Sequence, residues 1–204
     1  EAGAASVVVA DVSCHEARTC YAHSGIEAAV RAAGASLVLP EPHLLREVDL
    51  GGSTLGPQPV LEPFLAADVI VNVPIAKHHS LTGVTLGMKN WYGLIGGDRN
   101  RLHQRIHESI VDLTLFAKPT LTVMDGCRVL MRNGPTGGDV DDVEAKHTIV
   151  ASVDPVAVDA YAAQAWWNLA APRVRYLRLA EERGLGRMDY ASLRTIISTG
   201  VGSI

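Results

Sequence analysis

No stretch of this sequence approaches the roughly 20 consecutive apolar residues of a membrane-spanning helix, so no such span is expected. Cysteine is scarce and odd in number. Cys14, Cys20 and Cys127 are the only three, and no C-x-x-C pair occurs. That argues against a disulfide framework, and against an iron–sulfur cluster bound by this chain alone. Basic residues are too few and too scattered to grip nucleic acid: Lys and Arg total 18 against 22 Asp and Glu, a formal net charge of −4. Several catalytic signatures are missing as well. GPTGGDVDD has glycines but no Gly-Lys-Ser/Thr, and no strand leads into G-x-G-x-x-G. No G-x-S-x-G elbow is present, and HEART and HESIV lack the second histidine of H-E-x-x-H. Asp139, Asp141, Asp142 and Glu144 lack EF-hand spacing and read as a solvated cluster.

What is present is a globular composition, 48% hydrophobic and 20% charged over 204 residues. A chain of this length buries about 70% of its unfolded surface, so residues 1–204 are read as a single α/β domain. Strand-like and helix-like stretches alternate. Strands are expected at 6–11, 36–40, 68–74, 120–125, 147–152 and 193–198, with 68–74 the clearest buried strand. Helices are expected at 20–34, 59–67, 82–95, 103–118, 154–167 and 172–184. Residues 41–59 read as surface loop with a short strand near 48–50, and 131–146 as a long polar loop. This alternation predicts a mainly parallel or mixed sheet flanked by helices. Asp154 and Pro155 are placed as N-cap and first residue of their helix. Ile106, Ile110, Leu113 and Ala117 share one helical face.

In an open α/β sheet, ligands bind beyond the carboxyl ends of the strands. The proposed strand ends carry Asp11 with Ser13, Cys14 and His15; Lys77 with His78 and His79; Asp125; and Ser152 with Asp154. The stretch KHHSLTGVTLGMKNWYG, residues 77–93, holds the densest chemistry. An ammonium in so apolar a segment costs several kcal/mol unless paired. Lys89 is therefore expected to pair with Asp125, bind an anion or donate a proton, unless its stem snorkels to water. Asn90 either orients a carbonyl or carboxylate or caps the backbone. The glycines allow close approach of a ligand or of the sheet. His103 and His107, four apart on an expected helix, share a face and with His79 form a candidate set for a divalent transition metal.

The runs ADVIVNVPIAKHHSLTGVTLGMKNWYGLIGGDRNRLHQ, KPTLTVMDG, NGPTGG and IVASVDPVAVDAYAA resemble the domain-of-unknown-function 362 family. The family pattern falls on Lys77, His79, Gly83, Thr85, Lys89, Asn90, Gly93, His103, Asp125, Gly134, Pro135, Asp154 and Asp159. Members often stand beside ferredoxin-like iron–sulfur domains, so the resemblance implies such a partner. Their additional N-terminal strand segment, with a lysine and an asparagine, is not found here. The chain opens at Glu1 almost directly on a strand, as expected of an exported protein after signal removal or of a cytoplasmic chain without that segment.

The leading expectation is a metal-assisted, redox-linked enzyme acting on a small anionic substrate. His79, His103 and His107 hold the metal, and Lys89, Lys77 and Asp125 are catalytic. Asn90, Thr85 and Gly134 contact the substrate. The alternatives are a non-catalytic module binding a small carboxylate or phosphate, and an accessory to an iron–sulfur electron-transfer protein, which would expose an apolar patch.

Overall fold

The computed structural model describes residues 3–193. The β-branched run near the start forms β1 (Val8–Ala10), which pairs in parallel with β2 (Ser36–Val38). The connection expected as one helix over 20–34 is two, α1 (Ala17–His23) and α2 (Ile26–Ala32). Gly25, at φ 78°, breaks them apart, because a left-handed residue cannot continue a right-handed helix. Gly34, at φ 71°, follows the C-cap of α2. Residues 41–59 are more regular than expected. A 3-10 turn (Pro42–Leu44) leads into an antiparallel hairpin of β3 (Leu45–Asp49) and β4 (Pro57–Leu61). The wholly buried Val60 and Leu61 belong to that hairpin, leaving only α3 (Glu62–Ala66) of the helix expected at 59–67.

The main sheet is mixed and centres on β8 (Leu121–Leu130). β5 (Val71–Asn72) and β6 (Ile75–His79) run parallel to it. β7 (Gly83–Thr85) is antiparallel to β6, and β9 (Val143–Ser152) is antiparallel to β8. β8 runs on past the strand expected at 120–125 as far as Leu130, and β9 begins at Val143, inside the expected polar loop. Past a register irregularity between Gly126 and Arg128, Val129 is fully buried and pairs with Glu144, so the ladder continues. The remaining loop is tied down by Asp142, which accepts bonds from Arg132, Asn133 and the Asp139 backbone. One member of the supposedly solvated acidic cluster is thus buried.

Helices α4 (Ile106–Ala117), α5 (Pro155–Trp167) and α6 (Arg175–Glu182) flank the sheet. The α4 face read from spacing is buried; Ile110 and Leu113, with no exposure, each contribute roughly 1.5–3 kcal/mol. Asp154 caps α5, its Oδ1 accepting from Ala157 N at 2.8 Å, and Pro155 opens the helix. Among the described residues, nothing covers the other sheet face. Val69, Val71, Val73, Ile75, Ile149 and Val153 are each 50–75% exposed. Residues 68–74 therefore do not form the buried strand expected: Ile70 and Asn72 turn inward while the valines face out. The strand expected at 193–198 lies, beyond Leu193, outside the described residues. No helix among the described residues is long and apolar enough to cross a membrane.

Candidate functional site

The site is built on a segment that sequence spacing reads as a helix over 82–95. It is instead β7, a turn, and a 3-10 helix at Lys89–Leu94. The buried carboxylate of Asp159 on α5 holds the turn. It accepts from Gly87 N at 2.8 Å, Met88 N at 3.1 Å and the Tyr176 hydroxyl at 3.2 Å. A Cβ on Gly87 would meet Asp159 Oδ1 at 2.9 Å and the Thr122 methyl at 3.1 Å, so close approach to the framework requires this glycine. Asn72 donates to Gly87 O at 2.8 Å, and Asn90 Nδ2 donates to Asn72 Oδ1 at 2.9 Å. The amide expected to orient a substrate is thus committed, through its nitrogen, to the framework.

This scaffold delivers Lys89 into a nearly closed position, 7% exposed. Its Nζ lies 4.2 Å from the centre of the Tyr92 ring, a cation–π contact. It has no carboxylate partner among the described residues, so the ion pair with Asp125 is not formed. Burial, then the Lys77 charge, lowers its pKa to about 8; Arg99 adds to this and Cys14 opposes it.

His79 and His103 lie beside it with rings nearly parallel, centroids 6.1 Å apart. Burial, followed by Lys89, His103, Lys77 and His78, lowers His79 to about 3, so it is neutral at physiological pH. Burial and then Lys89 lower His103 as well. His107 is placed elsewhere. It stacks on Tyr176, and burial and then Arg175 lower its pKa. The expected shared helical face fails because His103 sits in a 3-10 helix (Arg99–Arg105), and Arg105 at φ −130°, ψ 52° separates it from α4. Among the described residues, no group of three or more His, Cys, Asp or Glu is placed to hold a metal ion.

Two contributors escaped the sequence reading of the site, and a third was read there without a role. Arg99 donates to the carbonyls of Val12, Ser13 and Tyr92, tying the end of β1 to the Lys89 segment. Tyr92 supplies the ring under Lys89. Asp11, visible only as a polar strand end, sits against Gly93; burial raises its pKa, while Arg99 and then Lys77 lower it. A Cβ on Gly93 would fall 1.7 Å from Asp11 Oδ1. Gly93→Ala is therefore expected to displace Asp11 and cost roughly 1–3 kcal/mol. Urea unfolding measures the cost, and a midpoint equal to wild type would contradict this packing.

Lys77 and Thr85 face one another in the β6–β7 register. Thr85 is 8% exposed, and its buried hydroxyl has no hydrogen-bond partner among the described residues. Lys77 and Asp125 border one depression on the bare sheet face. Asp125 is not among the charges acting on Lys89, His79 or His103, and its Oδ1 accepts from Cys127 N at 2.8 Å. Gly134 packs on His78, where a Cβ would lie 2.4 Å from the backbone oxygen, and its N–H donates to His78 Nδ1. It braces the strand that carries His79. The structure thus gathers Lys77, His79, Lys89 and His103 around Asp11 and Arg99, with His107 elsewhere and Asn90 and Gly134 in supporting positions.

Comparison with known proteins agrees with the family resemblance. The chain is 31% identical over 101 residues to a thylakoid-associated protein of Synechocystis sp., a match covering 46% of this chain and 30% of that protein. The match thus spans less than a third of the relative's length. No solved structure matches the chain. The model of the family described as Domain of unknown function (DUF362) matches residues 1–164, which include every residue gathered around Lys89, and the chain belongs to that family.

Proposed function

We propose that the cluster around Lys89 binds a small anionic substrate and that Lys89 both neutralises it and moves a proton. One observation carries this reading: a lysine ammonium more than nine-tenths buried, with no anionic partner among the described residues. A buried cation is costly until an anion joins it, and the site offers none beyond Asp11, which already lies in the fields of Arg99 and Lys77. The unpartnered Thr85 hydroxyl is a ready ligand contact beside Lys77. A pKa near 8 suits an amine that gives up and recovers a proton near neutral pH. The metal-assisted, redox-linked part of the expectation gains less support. His79 Nδ1 accepts from Leu81 N at 3.1 Å, so the neutral ring carries its proton on Nε2, the nitrogen a metal would need. No metal-dependent step forms part of the proposal.

Acetate binding tests the reading, because acetate stays anionic throughout the useful range. Affinity is expected to be flat below about pH 7 and to weaken towards tenfold per pH unit above about pH 8, as Lys89 loses its charge. NMR titration at several pH values measures it, and a profile flat to pH 10 would remove Lys89 from the site.

A second reading, an accessory to a ferredoxin-like iron–sulfur partner, is favoured by the bare apolar sheet face. Ile149→Asp is expected to abolish pull-down of such a partner while leaving acetate binding intact. Undiminished pull-down would count against that face.

A further inference from the structure

Two irregularities of the main sheet fall at the same place. Between the pairs Ile75–Asp125 and Lys77–Leu130, β6 advances two residues while β8 advances five. On the other side of β8 the register shifts between Gly126 and Arg128, and His147 of β9 stands there at φ 46°. Bulges of this kind bend a strand and re-aim its side chains, and they recur beside binding sites. β8 also lies hard against α5 at this point: a Cβ on Gly126 would overlap the Trp166 ring. The outward face here, uncovered among the described residues, carries the depression that Lys77 and Asp125 border. Its volume is about 300 Å³, at the lower end of the roughly 300–1,000 Å³ of small-molecule sites. Ile75, Ala76, Leu130 and Val143 supply apolar walls, and Arg128 completes the lining.

The three charges in this lining are not equally committed. Asp125 Oδ1 accepts from Cys127 N at 2.8 Å. Neither the Lys77 nor the Arg128 side chain donates a hydrogen bond or closes an ion pair among the described residues. Asp11 lies outside the lining and is matched first by Arg99. Two cations thus stand against one carboxylate, beside aliphatic walls that water covers poorly. We infer that the depression is a separate binding site for an aliphatic monocarboxylate, its head against Lys77 and Arg128 and its chain over Ile75, Leu130 and Val143. The planar guanidinium of Arg128 suits a carboxylate head. A small anion without a chain would leave the walls wet, an alkyl cation would meet two like charges, and a dianion would set surplus negative charge beside Asp125. Lys89, His79 and His103 are not in the lining, so the inference stands apart from the reading of Lys89.

Titration of acetate, hexanoate and hexylammonium at pH 7, followed by NMR of the methyl groups, tests it. Hexanoate is expected to bind about tenfold tighter than acetate, its added methylenes being only partly covered in an open depression. It should also shift the methyl signals of Ile75, Leu130 and Val143. Arg128→Met, at an exposed position, is expected to weaken hexanoate about tenfold. Equal affinities for hexanoate and acetate would overturn the inference and leave the Lys89 reading standing. Hexanoate bound with those three methyl signals unmoved would place it elsewhere and overturn the inference too. So would hexylammonium binding as tightly as hexanoate, or hexanoate affinity unchanged in Arg128→Met, since either means adsorption to an apolar surface without recognition of the carboxylate.

Discussion

Asp159→Ala is expected to destabilise the protein by roughly 3–5 kcal/mol, because it strands three donors in the interior. The carboxylate has no solvent exposure and accepts from two successive backbone N–H groups and from a buried tyrosine hydroxyl. It also holds the turn at Gly87 and Met88 that precedes Lys89, so its loss should release Lys89 from its position and weaken acetate binding. Burial pushes its pKa up to about 7, against the opposing bonds from Met88, Gly87 and Tyr176. The sign follows. The folded protein keeps a proton that the unfolded chain gives up near 3.8, so this group's contribution to stability falls as pH rises from about 4 to 7 and is level outside that window. Asp159→Asn should remove this slope. Urea unfolding of both proteins at several pH values measures it, and equal slopes would show that Asp159 does not titrate there.

Lys89→Met is expected to do two opposite things: to raise the stability of the unliganded protein at pH 7 by roughly 1–2 kcal/mol, and to weaken acetate binding at least tenfold. Methionine keeps the unbranched stem and drops the charge that burial disfavours. The folded-state pKa lies near 8, below the usual 10.5, so wild-type stability carries a constant penalty below about pH 8 that is relieved as pH rises towards 10.5. The variant should lack this rise. The gain is smaller than the full pKa shift because the Tyr92 contact is lost. Guanidinium unfolding at pH 7 and pH 10 measures the first effect and ligand titration the second. A variant less stable than wild type at pH 7 would mean that the ammonium is better satisfied than its surroundings suggest.

Much of the architecture was legible because local rules and burial agreed. The α4 face, the Asp154–Pro155 start of α5 and the Gly34 stop after α2 are each settled by residues within a few positions. Lys77, His79, Lys89 and His103 were legible as chemistry, since charge and imidazole in an apolar glycine-rich run call for a reason. Their neighbours were not. Nothing near Arg99 in the chain announces that it will clamp the end of β1, 86 and 87 positions earlier. The pairing of His103 with His107 failed for a related reason: a period of 3.6 residues says where side chains point only if the helix is continuous, and Arg105 interrupts it.

Composition and spacing by themselves determined the α/β class, most of the strand and helix identities, and which short stretch carries the reactive side chains. These depend on periodicity and local backbone preference, which act within a dozen residues. Only the tertiary structure decided that the 82–95 segment is a strand and a 3-10 turn, that the valines of 69–73 face outward, and that Lys89 meets a tyrosine ring instead of Asp125. Each of those outcomes turns on a group far away in the chain, or on the lack of a covering layer among the described residues. A buried carboxylate 71 and 72 residues downstream overrides helical spacing, because leaving its bonds unmade would cost more than local propensity can supply.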